Sequence, residues 1–108
     1  MLRLLGAVLA LVAFASFGLQ AQAGESDATR GLAFVQTNCS ECHTIRGQAR
    51  SPNPDAPSFY KLANTRGVTA TALVVALQTS HKKMPNFTLP ANRRDDAIAY
   101  ILSLKKQN

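Results

Sequence analysis

The chain has 108 residues, of which 46% are apolar, and it carries a formal charge of +6. This length allows one small domain at most, and the apolar fraction is too high for a disordered chain. Neither an internal repeat nor a low-complexity segment is visible, which excludes repeat and linker proteins.

The N-terminus has the pattern of a secretory signal peptide. Arg3 is followed by an uncharged, largely apolar run at residues 4–19 and then by an Ala-Gln-Ala triplet ending at Ala23, which signal peptidase accepts. A retained membrane anchor is the alternative, because the run approaches the length of a short transmembrane helix. We predict cleavage after Ala23, which divides the chain into a signal peptide, 1–23, and one exported domain, 24–108.

The exported domain is basic. Without Arg3, eleven lysines and arginines face six acidic residues, a formal charge of +5. Such a charge attracts nucleic acid, anionic lipid or an acidic protein. Export argues against nucleic acid, as does the scatter of the basic residues without interleaved aromatics. We expect an acidic protein partner and no stable membrane insertion after cleavage, an ordinary solvated surface being the alternative.

Four helices are predicted in the exported domain. The first covers about residues 27–38, where small and apolar side chains recur at helical spacing, and it ends at the two cysteines. The others are predicted at about residues 58–64, 69–79 and 91–105. Since no segment alternates with a period of two, the predicted fold class is all-α.

The last predicted helix carries charges that suit its dipole. Asp95 and Asp96 lie in its early turns, and Lys105 and Lys106 lie at its end. The N-terminus of a helix is partially positive and its C-terminus partially negative, so both pairs favour the helix. We expect these four charges to stabilise the helix.

Two irregular segments separate the helices. Residues 44–57 contain three prolines and a glycine, which exclude helix and regular strand, and a loop of this length usually has a functional task. Residues 80–90 contain two prolines and cannot be helical throughout. Four short helices and a long loop provide a thin core, so we predict that a further group fills the centre.

Both cysteines belong to one motif, Cys39-Ser40-Glu41-Cys42-His43. A disulfide across two intervening residues closes a very small loop and stabilises little, so we predict a chemical role for the thiols. Cys-x-x-Cys-His is the attachment sequence for c-type haem: two thiols one helical turn apart bind its vinyl groups, and the histidine reaches the iron from the same side. Such a haem would supply the missing core.

Three other interpretations of the motif remain. A zinc site would use Cys39, Cys42, His43 and His81, but adjacent residues do not easily take two tetrahedral positions, and the spacing to His81 does not fit a finger. A thioredoxin-like redox dithiol needs a βαβ unit, which the pattern does not predict. A chance occurrence without a cofactor fits poorly with the export signal and the long loop.

Met84 is the candidate for a second iron ligand. It is the one methionine of the predicted exported domain, and it precedes Pro85 in an irregular segment. Methionine used as core filler usually lies on a helix stripe, whereas this one lies in a proline-bounded loop. We predict iron ligation by Met84. His81 is the less favoured alternative, because bis-histidine ligation would leave the Met84-Pro85 pair unexplained.

Together these features resemble a class I, monohaem cytochrome c of the bacterial periplasmic type. The likeness runs from Gly31 in the first helix, through the cysteine motif and the Met84-Pro85 loop, to Tyr100 in the last helix. It implies a small cytochrome c fold, about four short helices wrapped around one haem c attached through the two cysteines. It also implies that the first and last helices cross where Gly31 meets Tyr100. The absence of tryptophan leaves the usual partners of the haem propionates unassigned.

The resemblance also implies the iron ligands and their surroundings. His43 and Met84 would bind the iron, and the carbonyl of Pro57 would accept a hydrogen bond from Nδ1 of His43. That bond fixes the ring and keeps Nε2 free for iron. Haem-binding residues are therefore expected at Cys39, Cys42, His43, Met84 and Pro57.

The function implied is periplasmic transfer of single electrons, without enzymatic activity, because two protein ligands leave the iron no site for a substrate. The expected partners are acidic redox proteins, namely a dehydrogenase, a cytochrome complex or a terminal oxidase, with Lys82 and Lys83 steering the encounter. Two alternatives are an electron-accepting subunit held by a periplasmic dehydrogenase, and an open-site haem enzyme or ligand sensor in which Met84 does not bind the iron.

Overall fold

The computed structural model describes residues 27–81 and 83–107. It has four helices in this part of the chain: α1, Asp27–Asn38; α2, Phe59–Ala63; α3, Ala70–Gln78; and α4, Ala91–Ser103. Their bounds lie within two residues of the predicted ones. The described residues form no strand, only an isolated bridge between His81 and Met84. The predicted all-α fold class is confirmed.

The predicted signal peptide, residues 1–23, lies outside the described residues. Among the helices that are described, none combines the length and the apolar character needed to cross a membrane. The proposed division of the chain at Ala23 therefore stays a prediction.

The two shortest helices begin at side chains that cap them. Ser58 Oγ accepts a hydrogen bond from the backbone N–H of Lys61, and Thr69 Oγ1 accepts one from that of Ala72, each at 3.1 Å. First-turn N–H groups have no partner within their helix, so each hydroxyl satisfies a donor that would otherwise need water. These local signals explain why α2 and α3 begin close to the predicted positions.

The most extensive contact between helices joins α1 and α4. Gly31 is buried there, and a Cβ added to it would lie 1.9 Å from the carbonyl oxygen of Asp96 and 2.9 Å from Cβ of Tyr100. Any side chain would therefore force the two helices apart. The helices meet at Gly31 and Tyr100, as the resemblance implied.

An ion pair ties the same two helices together. Arg30 donates from Nε and Nη2 to the two carboxylate oxygens of Asp96, each at 3.1 Å, and it also contacts Asp27. Asp96 is only 7% exposed, and a buried carboxylate without such donors is strongly disfavoured. Asp96 thus has a tertiary role. The expected helix-dipole contribution is weak, because α4 begins at Ala91 and has no acidic residue in its first turn and no basic residue in its last.

The described part of the chain has a small apolar core at the junction of the four helices. Every helix contributes to it, and α4 contributes most. One further member, Ile45, comes from the loop after the cysteine motif. The nine buried residues are Val35, Ile45, Phe59, Ala63, Leu73, Ala97, Ile98, Tyr100 and Ile101. This core places the cysteine motif, α2 and the end of α1 side by side.

Candidate functional site

The cysteine motif continues α1 by one further turn. The backbone N–H of Cys39 donates to the carbonyl of Val35 at 2.8 Å, and that of His43 donates to the carbonyl of Cys39 at 2.9 Å. Residues three and four apart in a helical turn lie on the same side, so Cys42 and His43 lie on the same side as Cys39. Both cysteines are unpaired and partly buried.

Cys39 packs against the apolar core, and this changes its acidity. Burial, and to a smaller extent the neighbouring Cys42, raises the pKa of the Cys39 thiol to about 11. At neutral pH the thiol is therefore protonated. Redox-active dithiols depend on a lowered thiol pKa, so the site does not have the electrostatics of a redox catalyst.

The His43 ring is held on two sides. Its Nδ1 lies 2.7 Å from the carbonyl oxygen of Pro57, and its ring centroid lies 5.1 Å from that of Phe59, with the planes tilted by 46°. A carbonyl oxygen only accepts hydrogen bonds, so Nδ1 carries a proton, and in the neutral tautomer of the ring Nε2 is then the nitrogen without one. The imidazole therefore presents an unprotonated nitrogen that can bind a metal ion.

Two hydrogen bonds fix the chain just after His43. The backbone N–H of Phe59 donates to the carbonyl of Thr44 at 3.0 Å, and the buried Tyr100 hydroxyl donates to the carbonyl of Ile45 at 2.7 Å. Burial also raises the pKa of Tyr100, which keeps this hydroxyl a donor. The segment is thereby tied to α2 and to α4. Buried tyrosines usually have such a partner, but only the fold identifies which carbonyl it is.

Replacing Phe59 with alanine is expected to lower the free energy of unfolding by about 3 kcal/mol, because Phe59 is only 4% exposed and its loss leaves a cavity beside the His43 ring. The matched variant Phe59→Leu keeps most of the volume and should lose less than about 1.5 kcal/mol. Guanidinium unfolding followed by far-UV circular dichroism measures both. Equal losses in the two variants would contradict the packing role.

Met84 closes a tight turn outside the helices. Its backbone N–H donates to the carbonyl of His81 at 3.3 Å, and Lys83 in the same turn has a φ of 66°, which is uncommon for a residue other than glycine. Met84 is half-buried and lines a cavity of about 200 Å³ together with Leu77 and Phe87. The irregular conformation agrees with the prediction made from the two prolines.

His81 is the less favoured candidate for the second iron ligand. Its Nε2 is hydrogen-bonded to the carbonyl of Ala76, which requires that nitrogen to carry a proton. Only Nδ1 of His81 is then left to bind a metal ion, whereas the hydrogen bond of His43 leaves Nε2. The preference for Met84 over His81 stays a prediction.

An ion pair links the turn that contains Met84 to the loop that leads to Pro57. Nζ of Lys83, beside Met84, lies 2.8 Å from Oδ2 of Asp55, in the loop that leads to Pro57. Both side chains are exposed, so the pair contributes roughly 1 kcal/mol or less. It nevertheless gives Lys83, one of the two lysines expected to steer a partner, an acidic neighbour. The other, Lys82, lies outside the described residues.

The chemistry of these side chains fits a haem better than a bare metal ion. No three His, Cys, Asp or Glu side chains of the described residues come close enough together to hold a metal ion, which argues against zinc. What the site offers is two thiols one turn apart, an imidazole with an unprotonated Nε2, and a thioether in a separate turn. Cys39 and Cys42 would hold the haem, with His43 and Met84 on its iron.

A comparison with protein families supports the same conclusion. Residues 26–101 match the family model described as cytochrome c oxidase, cbb3-type, subunit III. The matched range contains the cysteine motif, Pro57 and Met84. A comparison with curated proteins and one with solved structures gave no significant match. The chain therefore belongs to this family and is a protein of the class I monohaem cytochrome c type, a haem-binding domain for electron transfer.

Proposed function

We propose that the protein carries single electrons in the periplasm, with one haem c attached through Cys39 and Cys42, His43 and Met84 as the axial ligands, and no enzymatic activity. The observation that carries the proposal is the hydrogen bond between Nδ1 of His43 and the carbonyl of Pro57 at 2.7 Å. It leaves Nε2 free and aims the ring from the same turn that holds the two thiols.

Each of these residues has a distinct task. When bound, the haem supplies a one-electron couple between ferrous and ferric iron. Pro57 fixes the His43 ring and raises its basicity, and Phe59 limits its rotation. The thioether of Met84 favours the ferrous state, so we expect a reduction potential above that of bis-histidine haems. If His43 and Met84 both bind the iron, no position would be left there for a substrate.

Replacing Met84 with alanine is expected to abolish the weak far-red absorption band that sulfur-to-iron charge transfer gives in the oxidised protein, and to lower the reduction potential. The measurement is the visible spectrum of the periplasmically expressed protein, oxidised and reduced, with a redox titration. His81→Ala is the matched control and should keep the band, since its Nε2 is bound to Ala76.

Two outcomes would contradict ligation by Met84. One is a wild-type protein without the far-red band, and the other is persistence of the band in Met84→Ala. Tight binding of carbon monoxide by the reduced wild-type protein would favour the open-site enzyme or sensor over the carrier.

A second candidate function is that of a subunit held in a larger complex. The matched family description names a subunit of a terminal oxidase, which makes such an oxidase a candidate partner beside a periplasmic dehydrogenase. Electron transfer through the same haem would then occur within one assembly. Purification in a fixed ratio with a membrane complex would favour the subunit, and recovery as a free protein would favour the carrier.

A further inference from the structure

The beginning of α4 carries both signs of charge, with two arginines directly before Asp95 and Asp96. At its beginning, Asp96 pairs with Arg30, and Asp95 pairs with Arg94. Its end is followed by Lys105 and Lys106, with no acidic residue nearby in sequence. A helix of 13 residues is about 20 Å long, more than twice the Debye length of about 8 Å at physiological salt. The two aspartates near the beginning of α4 are therefore too far away, and already paired with arginines, to neutralise the lysines after its end.

A hydrogen-bonded junction holds the end of the chain against α2. The side-chain amide of Asn64 donates to the carbonyl of Leu104 at 3.1 Å, and the backbone N–H of Lys106 donates to Oδ1 of Asn64 at 2.8 Å. This junction brings the two terminal lysines beside the basic residues in and after α2. We name the resulting surface the C-terminal basic patch; it consists of the exposed residues Lys61, Arg66, Lys105 and Lys106.

Two of these side chains are held in defined positions. Nζ of Lys105 donates to the carbonyl of Val68 at 2.9 Å, and Nζ of Lys106 lies 5.9 Å from the ring centroid of Tyr60. Both partners leave the positive charge in place, because a carbonyl and an aromatic ring carry no net negative charge. The ammonium groups are thereby positioned without being neutralised.

The patch differs in this respect from other basic residues. Arg30, Lys83 and Arg94 each pair with a carboxylate. In the described part of the chain, no member of the C-terminal basic patch forms an ion pair with a carboxylate. Four exposed basic residues without a carboxylate partner in the described chain thus lie at the junction of residues 60–68 with residues 104–106.

We propose that the C-terminal basic patch is the docking surface for an acidic face of a protein partner. Complementary charge steers such an encounter, and side chains that are already positioned lose less entropy on binding. A lipid surface fits less well, because membrane binding also requires exposed apolar side chains. The large exposed apolar residues of the described chain, Val75 and Phe87, belong to α3 and to the segment after Met84.

The proposal changes the expected docking site. The sequence pointed to Lys82 and Lys83 beside Met84, but Lys83 is paired with Asp55. The patch lies on α2, at Arg66 and on the segment after α4, none of which carries a candidate axial ligand, although α2 packs on His43 through Phe59. The inference rests on the proposed electron-carrier function only in taking the partner to be a redox protein.

The test compares two triple charge reversals in the purified holoprotein. The patch variant combines Lys61→Glu, Arg66→Glu and Lys106→Glu, and Lys105 is retained because its Nζ is bonded to Val68. The matched control replaces three exposed arginines that form no ion pair in the described chain, combining Arg46→Glu, Arg50→Glu and Arg93→Glu. Both variants undergo the same change of net charge, so only its location differs.

The probe is poly-L-glutamate, titrated at low ionic strength and followed by calorimetry. We expect the patch variant to bind at least about tenfold more weakly than the wild type and the control less than about threefold. In the wild type, backbone amide NMR shifts at residues 61–66 and 104–107 should respond to the probe, and this measurement needs no variant.

Three results would overturn the proposal: equal loss of affinity in both variants, amide shifts confined to residues 81–87, or patch-dependent binding to phosphatidylglycerol vesicles without binding to poly-L-glutamate. The visible spectrum and reversible reduction of each variant are recorded in parallel. They report on the proposed electron-transfer function, so its failure can be told apart from failure of the docking proposal.

Discussion

Replacing Gly31 with alanine is expected to destabilise the protein by about 3 kcal/mol. The added Cβ would lie 1.9 Å from the carbonyl oxygen of Asp96, far inside the contact distance of two heavy atoms. Because this neighbour belongs to the backbone of α4, only a shift of a whole helix can relieve the overlap. Such a shift would also strain the pair between Arg30 and Asp96 and the bond from Tyr100 to Ile45.

The direction of the change in the free energy of unfolding of Gly31→Ala shows whether helix packing or helix propensity dominates. Alanine is favoured over glycine inside a helix by about 1 kcal/mol, so propensity alone would make Gly31→Ala stabilising. The matched control is Ala33→Gly, at an exposed position of the same helix. It measures the effect of helix propensity alone on the free energy of unfolding. Guanidinium unfolding of both variants provides the comparison. A Gly31→Ala protein as stable as the wild type would show that the helices do not approach this closely.

Replacing both Cys39 and Cys42 with serine is expected to abolish covalent haem retention. A serine hydroxyl offers no thiol, and the small apolar core would have to hold the macrocycle by packing alone. Haem staining after denaturing electrophoresis, together with the mass of the intact protein, measures the loss. The expected result is a chain without attached haem and with much less helix, since the haem would complete the core.

The control for this experiment lies within the same motif. Ser40 and Glu41 are exposed, and their side chains are not among the groups that would hold the haem. The double variant Ser40→Ala, Glu41→Ala keeps the spacing of the thiols and is expected to retain one haem per chain. Haem that stays bound to the double serine variant after denaturation would exclude attachment through these cysteines.

The sequence alone determined much of the secondary structure of the described chain. The four helices follow from local signals, such as the hydroxyl caps Ser58 and Thr69 and the prolines between helices. The cysteine motif and the Met84-Pro85 pair could be recognised in the same way. Helical periodicity, capping and ligand spacing each involve only a few neighbouring residues, so they can be detected in the sequence.

The tertiary structure alone decided which distant groups meet at the site. The ring of Phe59 packs on His43. The hydroxyl of Tyr100 donates to the carbonyl of Ile45, which lies 55 positions earlier in the chain. The pairs Arg30 with Asp96 and Lys83 with Asp55 span 66 and 28 positions. No local pattern encodes such pairings, because they depend on how α1, α2 and α4 pack around the shared core. The same packing gathers four basic residues, dispersed in the sequence, onto one surface.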